Sequence, residues 1–133
     1  MMRKALMAAG FTGMALVATP SSAADKGVET VYRSALECRV AADSVLMTLT
    51  RQEATNEEQA KAIETVKGTE SFYRRLTLMS GRQLGKRDPM IGMDYAQLQL
   101  AVAQSILTKP NAMADMVSRT KTCGDAISEA EKA

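Results

Sequence analysis

Two cysteines, Cys38 and Cys123, lie 85 positions apart in a chain of 133 residues that contains no histidine and no tryptophan. Each lies within the apolar stripe of an amphipathic segment, where a bridge to a neighbouring helix can form. A disulfide closing so long a loop removes unfolded-state entropy worth about 4–5 kcal/mol in the simple loop model. The alternative, two buried free thiols, stays open at this point. Two thiolates without histidine give only half of a zinc site, so we expect no metal at this pair.

The rest of the chain has the pattern of a helical protein. It shows no strand-like alternation, and its only prolines beyond residue 24, Pro89 and Pro110, lie in junctions. Short connections favour antiparallel neighbours, so the sequence predicts an all-α, antiparallel four-helix bundle in which a Cys38–Cys123 disulfide ties helix 1 to helix 4. The predicted helices are about 27–51, 56–84, 89–108 and 111–131.

Helix ends and faces follow from local signals. For helix 2, either Thr55 with Glu58 forms a capping box or Asn56 caps directly, and for helix 3 Asp88 is the predicted N-cap before Pro89. The predicted apolar stripe of helix 1 is Val28, Val31, Tyr32, Ala35, Cys38, Ala42, Val45, Leu46 and Leu49.

The N-terminal segment predicts export. Arg3 and Lys4 precede a short apolar run, and small residues before Asp25 fit a signal-peptidase site, so we interpret residues 1–24 as a cleavable signal peptide and 25–133 as a single helical domain. An uncleaved membrane anchor is the alternative interpretation. Cleavage leaves a secreted domain without a transmembrane anchor, and we expect it in the periplasm, where two thiols usually pair. Loss of Arg3 and Lys4 also brings the net charge from +2 to zero, which argues against nucleic-acid binding.

A stretch of basic residues precedes helix 3. No acid lies between Glu70 and Asp88. The stretch is either an anion-attracting patch for a partner or a solvated helix end that complements its own dipole. The candidate patch residues are Arg74, Arg75, Arg82, Lys86 and Arg87.

The sequence contains few features that indicate catalysis or metal binding. The absence of histidine removes the commonest general base, and no phosphate loop or nucleophile motif occurs, so we expect no enzyme and no cofactor. Thioethers suit Cu(I), and the methionines Met79, Met90 and Met93 are candidate ligands for it, although methionines at helical spacing usually fill core gaps.

Helix 3 carries two apolar faces. One contains Ile91, Tyr95 and Leu98, and Asp94 is the single charge between Pro89 and Thr108. Two faces imply two packing partners, and three interpretations stay open: a central position in the bundle, self-association across a twofold axis, or a groove for an apolar ligand or client helix. The second, candidate self-association face is Met93, Ala96, Leu100, Ala103 and Leu107.

These features favour a binding function over a catalytic one. We expect a secreted helical module that acts by binding another envelope protein, in the manner of an inhibitor, an immunity protein or a chaperone, and that forms a homodimer through helix 3. The alternative is a carrier of a small molecule or of Cu(I), which uses the bundle core or the methionine clusters. No motif in the chain identifies the partner.

Overall fold

The computed structural model describes residues 23–52 and 56–132. These residues contain four α-helices and no β-strand, which confirms the predicted antiparallel all-α bundle. The predicted signal peptide lies outside the described residues except for Ala23 and Ala24, which begin the first helix, four residues before its predicted start. The helices are α1 (Ala23–Arg51), α2 (Glu57–Gln83), α3 (Asp88–Thr108) and α4 (Ala112–Lys132).

The chain divides into two compact units, residues 1–30 and residues 31–133. Of the first unit the structure describes 23–30, which are helical, and Thr30 Oγ1 donates a hydrogen bond to the carbonyl oxygen of Lys26 at 3.0 Å. The second unit contains the disulfide and the packed core. None of the described helices is long and apolar enough to cross a membrane.

Helix α1 is the central helix of the second unit. Ala41 and Ala42 have no exposed surface (both 0%), because their small side chains let neighbouring helices approach closely. The predicted stripe of helix 1 was too narrow, since it omitted Leu36, Val40 and Ala41, all of which are buried. The buried residues of α1 are Tyr32, Ala35, Leu36, Val40, Ala41, Ala42 and Val45.

The predicted disulfide is present and joins α1 to α4. The Cα atoms of Cys38 and Cys123 are 5.9 Å apart, within the usual range for a bridge. Farther along α1, the Thr48 hydroxyl lies 4.0 Å from the Met113 sulfur, so the two helices run antiparallel. Cys123 is buried, whereas Cys38 is half-buried.

The observed helix ends agree with the sequence at α2 and differ at α3. Asn56 caps α2, its Oδ1 accepting from the backbone N–H of Gln59 at 2.8 Å, whereas Thr55 lies outside the described residues. The prediction that Asp88 caps α3 is wrong. Arg87 occupies the N-cap position, and the Asp88 carboxylate accepts two hydrogen bonds from the Arg82 guanidinium, at 2.9 and 2.7 Å.

Candidate functional site

The second apolar face of α3 is exposed to solvent. We call Met93, Ala96, Leu100, Ala103 and Leu107 the outer face of α3; Met93 is 62% exposed, Leu100 61% and Leu107 85%. The interpretation that places helix 3 at the bundle centre is therefore wrong, because α1 occupies that position. The five residues are spaced three and four apart in alternation, so they form one continuous strip along the helix, about 21 Å long at 1.5 Å per residue.

Polar contacts on the opposite side of α3 determine which face turns outward. The Tyr95 hydroxyl donates to Asp43 Oδ2 on α1, and Gln99 Nε2 donates to the same oxygen at 3.0 Å. Ile91 is buried beside Tyr32 and Leu36. With this side of α3 attached to α1, Leu100 and its neighbours on the strip remain in solvent.

An open apolar groove of about 560 Å³ adjoins the outer face. It lies between the C-terminal halves of α1 and α3, and Met47, itself 45% exposed, contributes from α1. Among the described residues that line the groove, Arg51 at the end of α1 is the one with a charge. The full lining is Ser44, Met47, Thr48, Arg51, Ala96, Gln99, Leu100, Ala103, Ile106, Leu107 and Met113.

A partly buried polar cluster links α1, α2 and α3 behind this groove. The Arg39 guanidinium carbon lies 3.8 Å from the centre of the Tyr95 ring, and Arg39 Nε lies 3.6 Å from a Glu70 carboxylate oxygen. Burial, and then the hydrogen bond to Asp43, raise the pKa of the Tyr95 hydroxyl. Sequence reasoning missed Arg39 and Asp43, although their four-residue spacing places both charges on one side of α1 beside the buried Ala42. The cluster joins α1, α2 and α3 and fixes the rotation of each helix about its own axis.

A second carboxylate contact secures the opposite end of α3. The Tyr32 hydroxyl donates to Asp94 Oδ2 at 2.7 Å, and Lys86 Nζ lies 3.3 Å from the same oxygen. The pKa of Tyr32 is raised, first by burial and then by this hydrogen bond. Asp94, the one charge between Pro89 and Thr108, is thus engaged with the inner side of the bundle.

Three of the five residues of the predicted basic patch are paired with acids, two at the ends of the stretch and one within α3. Arg74 lies 3.6 Å from Glu70, Arg82 contacts Asp88, and Lys86 contacts Asp94. Arg75 donates to the Ser71 hydroxyl at 3.3 Å, and Arg87 is exposed at the N-cap of α3. Arg74 and Arg82 are about 12 Å apart along the α2 axis at 1.5 Å per residue. The five cations are thus spread along α2 and the following turn.

The methionine candidates for Cu(I) lie on the surface. Met79 is 63% exposed, Met90 51% and Met93 62%, and Met93 also belongs to the outer face of α3. In the described part of the chain no group of three or more His, Cys, Asp or Glu side chains is placed to hold a metal ion. Met47 and Met113 lie together in the groove at the opposite end of α3.

A second open groove, of about 670 Å³, lies between α2 and α4 and was not predicted. Its lining mixes apolar residues with charges of both signs, among them Lys121 and Asp125, which pair with each other at 3.0 Å. Gly68 on α2 and Gly124 on α4 line this groove. A glycine within each helix was the sequence signal from which the groove could have been predicted.

The fold and this surface define a disulfide-linked four-helix bundle with an exposed apolar strip on its third helix. Comparison with protein-family models, with curated proteins and with solved structures gives no significant match.

Proposed function

We propose that this protein is a non-catalytic interaction module that binds another polypeptide through the outer face of α3. The observation that carries the proposal is the exposure of Met93, Leu100 and Leu107 on one uncharged strip. Apolar patches that a soluble domain leaves exposed commonly mark interaction sites. Asp94 does not interrupt the strip, because its carboxylate is engaged with Tyr32 and Lys86.

The shape of the strip favours a helical segment as its partner. Anchors repeating every three and four residues over about 21 Å match the side-chain spacing of a second α-helix. Ala96 and Ala103 alternate with the larger side chains, which lets a partner backbone approach closely. The neighbouring groove, with Met47 at its edge, extends the apolar contact on one side.

The disulfide and the N-terminal segment support a location outside the cytoplasm, and the periplasm is the compartment that we propose. A Cys38–Cys123 bridge forms and persists in an oxidising compartment. The basic and then apolar residues at the start of the chain, with small residues before Asp25, match a cleaved export signal. The partner polypeptide would then also be located in the cell envelope.

Binding of a small apolar molecule is the second candidate, and the groove between α1 and α3 favours it. Its volume of about 560 Å³ falls within the range of ligand pockets. Arg51 at one end offers a cation to an acidic head group. The groove is open, however, and Met93 at the far end of the strip lies outside its lining, which leaves that end for a larger partner to cover.

A comparison of two charged variants tests the proposal. Leu100→Glu places a carboxylate in the middle of the outer face of α3, whereas Val117→Glu places one at a 51% exposed valine on α4. Both oxidised variants should keep the far-ultraviolet circular dichroism of the native protein. Envelope proteins that the native protein and Val117→Glu capture, but Leu100→Glu does not, are then purified. Each is titrated with the native protein and with both variants to measure the dissociation constants.

The expected result is a polypeptide whose dissociation constant rises at least about 100-fold with Leu100→Glu, since burying an unpaired charge is strongly unfavourable, and is unchanged with Val117→Glu. Equal affinity for both variants would contradict the proposal. Saturable binding of the probe 1-anilinonaphthalene-8-sulfonate that depends on Leu100, without any polypeptide that discriminates the variants, would support the carrier instead.

A further inference from the structure

The outer face of α3 is self-complementary in size. Large side chains at Met93, Leu100 and Leu107 alternate with small ones at Ala96 and Ala103, and the order reads the same in both directions from Leu100. A twofold interface requires one surface patch that fits a copy of itself. We infer that the polypeptide bound there is α3 of a second copy, packed antiparallel about a twofold axis at Leu100; this inference rests on the proposed function.

The antiparallel arrangement matches the side chains along the strip. Leu100 meets Leu100 of the second copy, and Met93 meets Leu107 of the second copy seven residues away on either side. Ala96 meets Ala103 of the second copy, so the two backbones approach closely between the large contacts. Rows of residues spaced three and four apart interlock in this way at antiparallel helix pairs.

Charge also favours a second copy. The exposed polar residues beside the strip, among them Gln97 and Gln104, are neutral amides, which both donate and accept hydrogen bonds. Asp94 is held toward α1 and the α2–α3 turn by Tyr32 and Lys86. Between Pro89 and Thr108, a self-paired strip therefore brings no like charges together, which would otherwise oppose association.

The two ends of α3 differ in surface shape. In the antiparallel arrangement, the N-terminal end of α3 in one copy lies against the C-terminal end of α3 in the other. At the Leu107 end lies the groove between α1 and α3, edged by Met47. At the other end Met90 and Met93 are exposed at 51% and 62%. Met93 of each copy thus lies against Leu107 of the other at the edge of its groove, where a flexible thioether side chain adapts well to an irregular apolar surface.

Engineered thiols test the arrangement directly. Because the described residues include no free cysteine, Leu100→Cys, Leu107→Cys and Met93→Cys each add a single reactive thiol to the oxidised protein. Mild oxidation should cross-link Leu100→Cys to itself and an equal mixture of Met93→Cys with Leu107→Cys, but not Leu107→Cys alone. Val117→Cys on α4 is the control for random collision. Sedimentation equilibrium of the native protein should show a dimer that Leu100→Glu weakens at least about 100-fold.

Three results would overturn the inference. Efficient cross-linking of Leu107→Cys to itself shows a parallel pair, and a native protein that stays monomeric at all concentrations shows that no second copy binds. A monomer that still loses an envelope polypeptide on Leu100→Glu refutes the dimer and leaves the proposed function standing. A dimer that Leu100→Glu does not weaken refutes self-association through this face, and the capture comparison of Leu100→Glu with Val117→Glu then decides the proposed function separately.

Discussion

The Tyr73 hydroxyl donates a hydrogen bond of 2.8 Å to the main-chain carbonyl oxygen of Cys123. Both residues are buried, and Cys123 is bonded through its sulfur to Cys38. One point in the core therefore joins α2, α4 and α1. The other two tyrosines also connect helices, Tyr32 to α3 and Tyr95 to α1, so all three phenols of the chain bridge elements of the bundle.

Tyr73→Phe removes the hydroxyl from this junction and leaves the ring. The free energy of unfolding should fall by about 1 kcal/mol, the usual net contribution of one buried hydrogen bond. Urea denaturation followed by circular dichroism measures it. Thr122→Val is the control, because its hydroxyl is exposed and donates only to its own helix. A Tyr73→Phe midpoint equal to that of the control would show that the bond contributes nothing.

Loss of the disulfide should destabilise the bundle far more. A bridge across 85 positions restricts the unfolded chain, and the loop model gives about 4–5 kcal/mol for the Cys38–Cys123 pair. Comparing the oxidised protein with the double variant Cys38→Ala, Cys123→Ala in urea measures this difference without a reducing agent. Coincident unfolding curves would contradict a stabilising bridge between Cys38 and Cys123 in the native protein.

Two glycines of α2 should respond to alanine with opposite signs. A Cβ at Gly81 would lie 2.6 Å from Ile91 Cδ1 and 2.9 Å from Tyr32 Cε1, so Gly81→Ala should destabilise by about 1–3 kcal/mol. A Cβ at Gly68 meets nothing within 4 Å, so Gly68→Ala should stabilise by up to about 1 kcal/mol through helix propensity. Thermal melts of both variants check the pair. Stabilisation by Gly81→Ala would show that α1 and α3 do not approach α2 there.

Alkaline pH should unfold the protein and ionise its tyrosines together. The pKa of Tyr32, Tyr73 and Tyr95 is raised in the folded state, chiefly by burial. A raised folded-state pKa gives stability that is fully present below the unfolded value of about 10 and is lost as pH rises toward the folded value. Tyrosinate absorbance should therefore appear only with the loss of circular dichroism. Titration of the phenols near pH 10 in a still-helical protein would contradict the buried contacts.

The bundle could be predicted because its signals are local. Apolar spacing, the Asn56 cap and the junction prolines define four helices, and the matched heights of Cys38 and Cys123 on helices 1 and 4 predict the bridge. The start of α3 was misplaced by one residue, because Asp88 bonds Arg82, six residues earlier, instead of its own helix. That competition depends on how the α2–α3 turn folds, which residue type alone does not show.

The identity of the central helix could not be predicted in the same way. The two apolar faces of helix 3 suggested a central position, yet α1 takes it, because Ala41 and Ala42 permit close approach and Arg39 has Tyr95 and Glu70 as partners. Charged residues lie among the apolar residues of α1, so counting apolar positions alone did not reveal that a second face of this helix is buried. The outer face of α3 was found from the sequence as a set of residues, but its exposure required the packing of the other three helices.

Coverage of the outer face of α3 in the working protein is tested most directly by an oxidation footprint. Met93 and Met79 have nearly equal exposure in the single chain, 62% and 63%, but only Met93 lies on the strip. With dilute hydrogen peroxide and mass spectrometry, we expect Met93 to oxidise several-fold more slowly at high protein concentration than at low, and Met79 to oxidise at one rate throughout. Leu100→Glu should abolish the difference. Equal rates for both methionines, at every concentration and in the presence of envelope extract, would contradict the account.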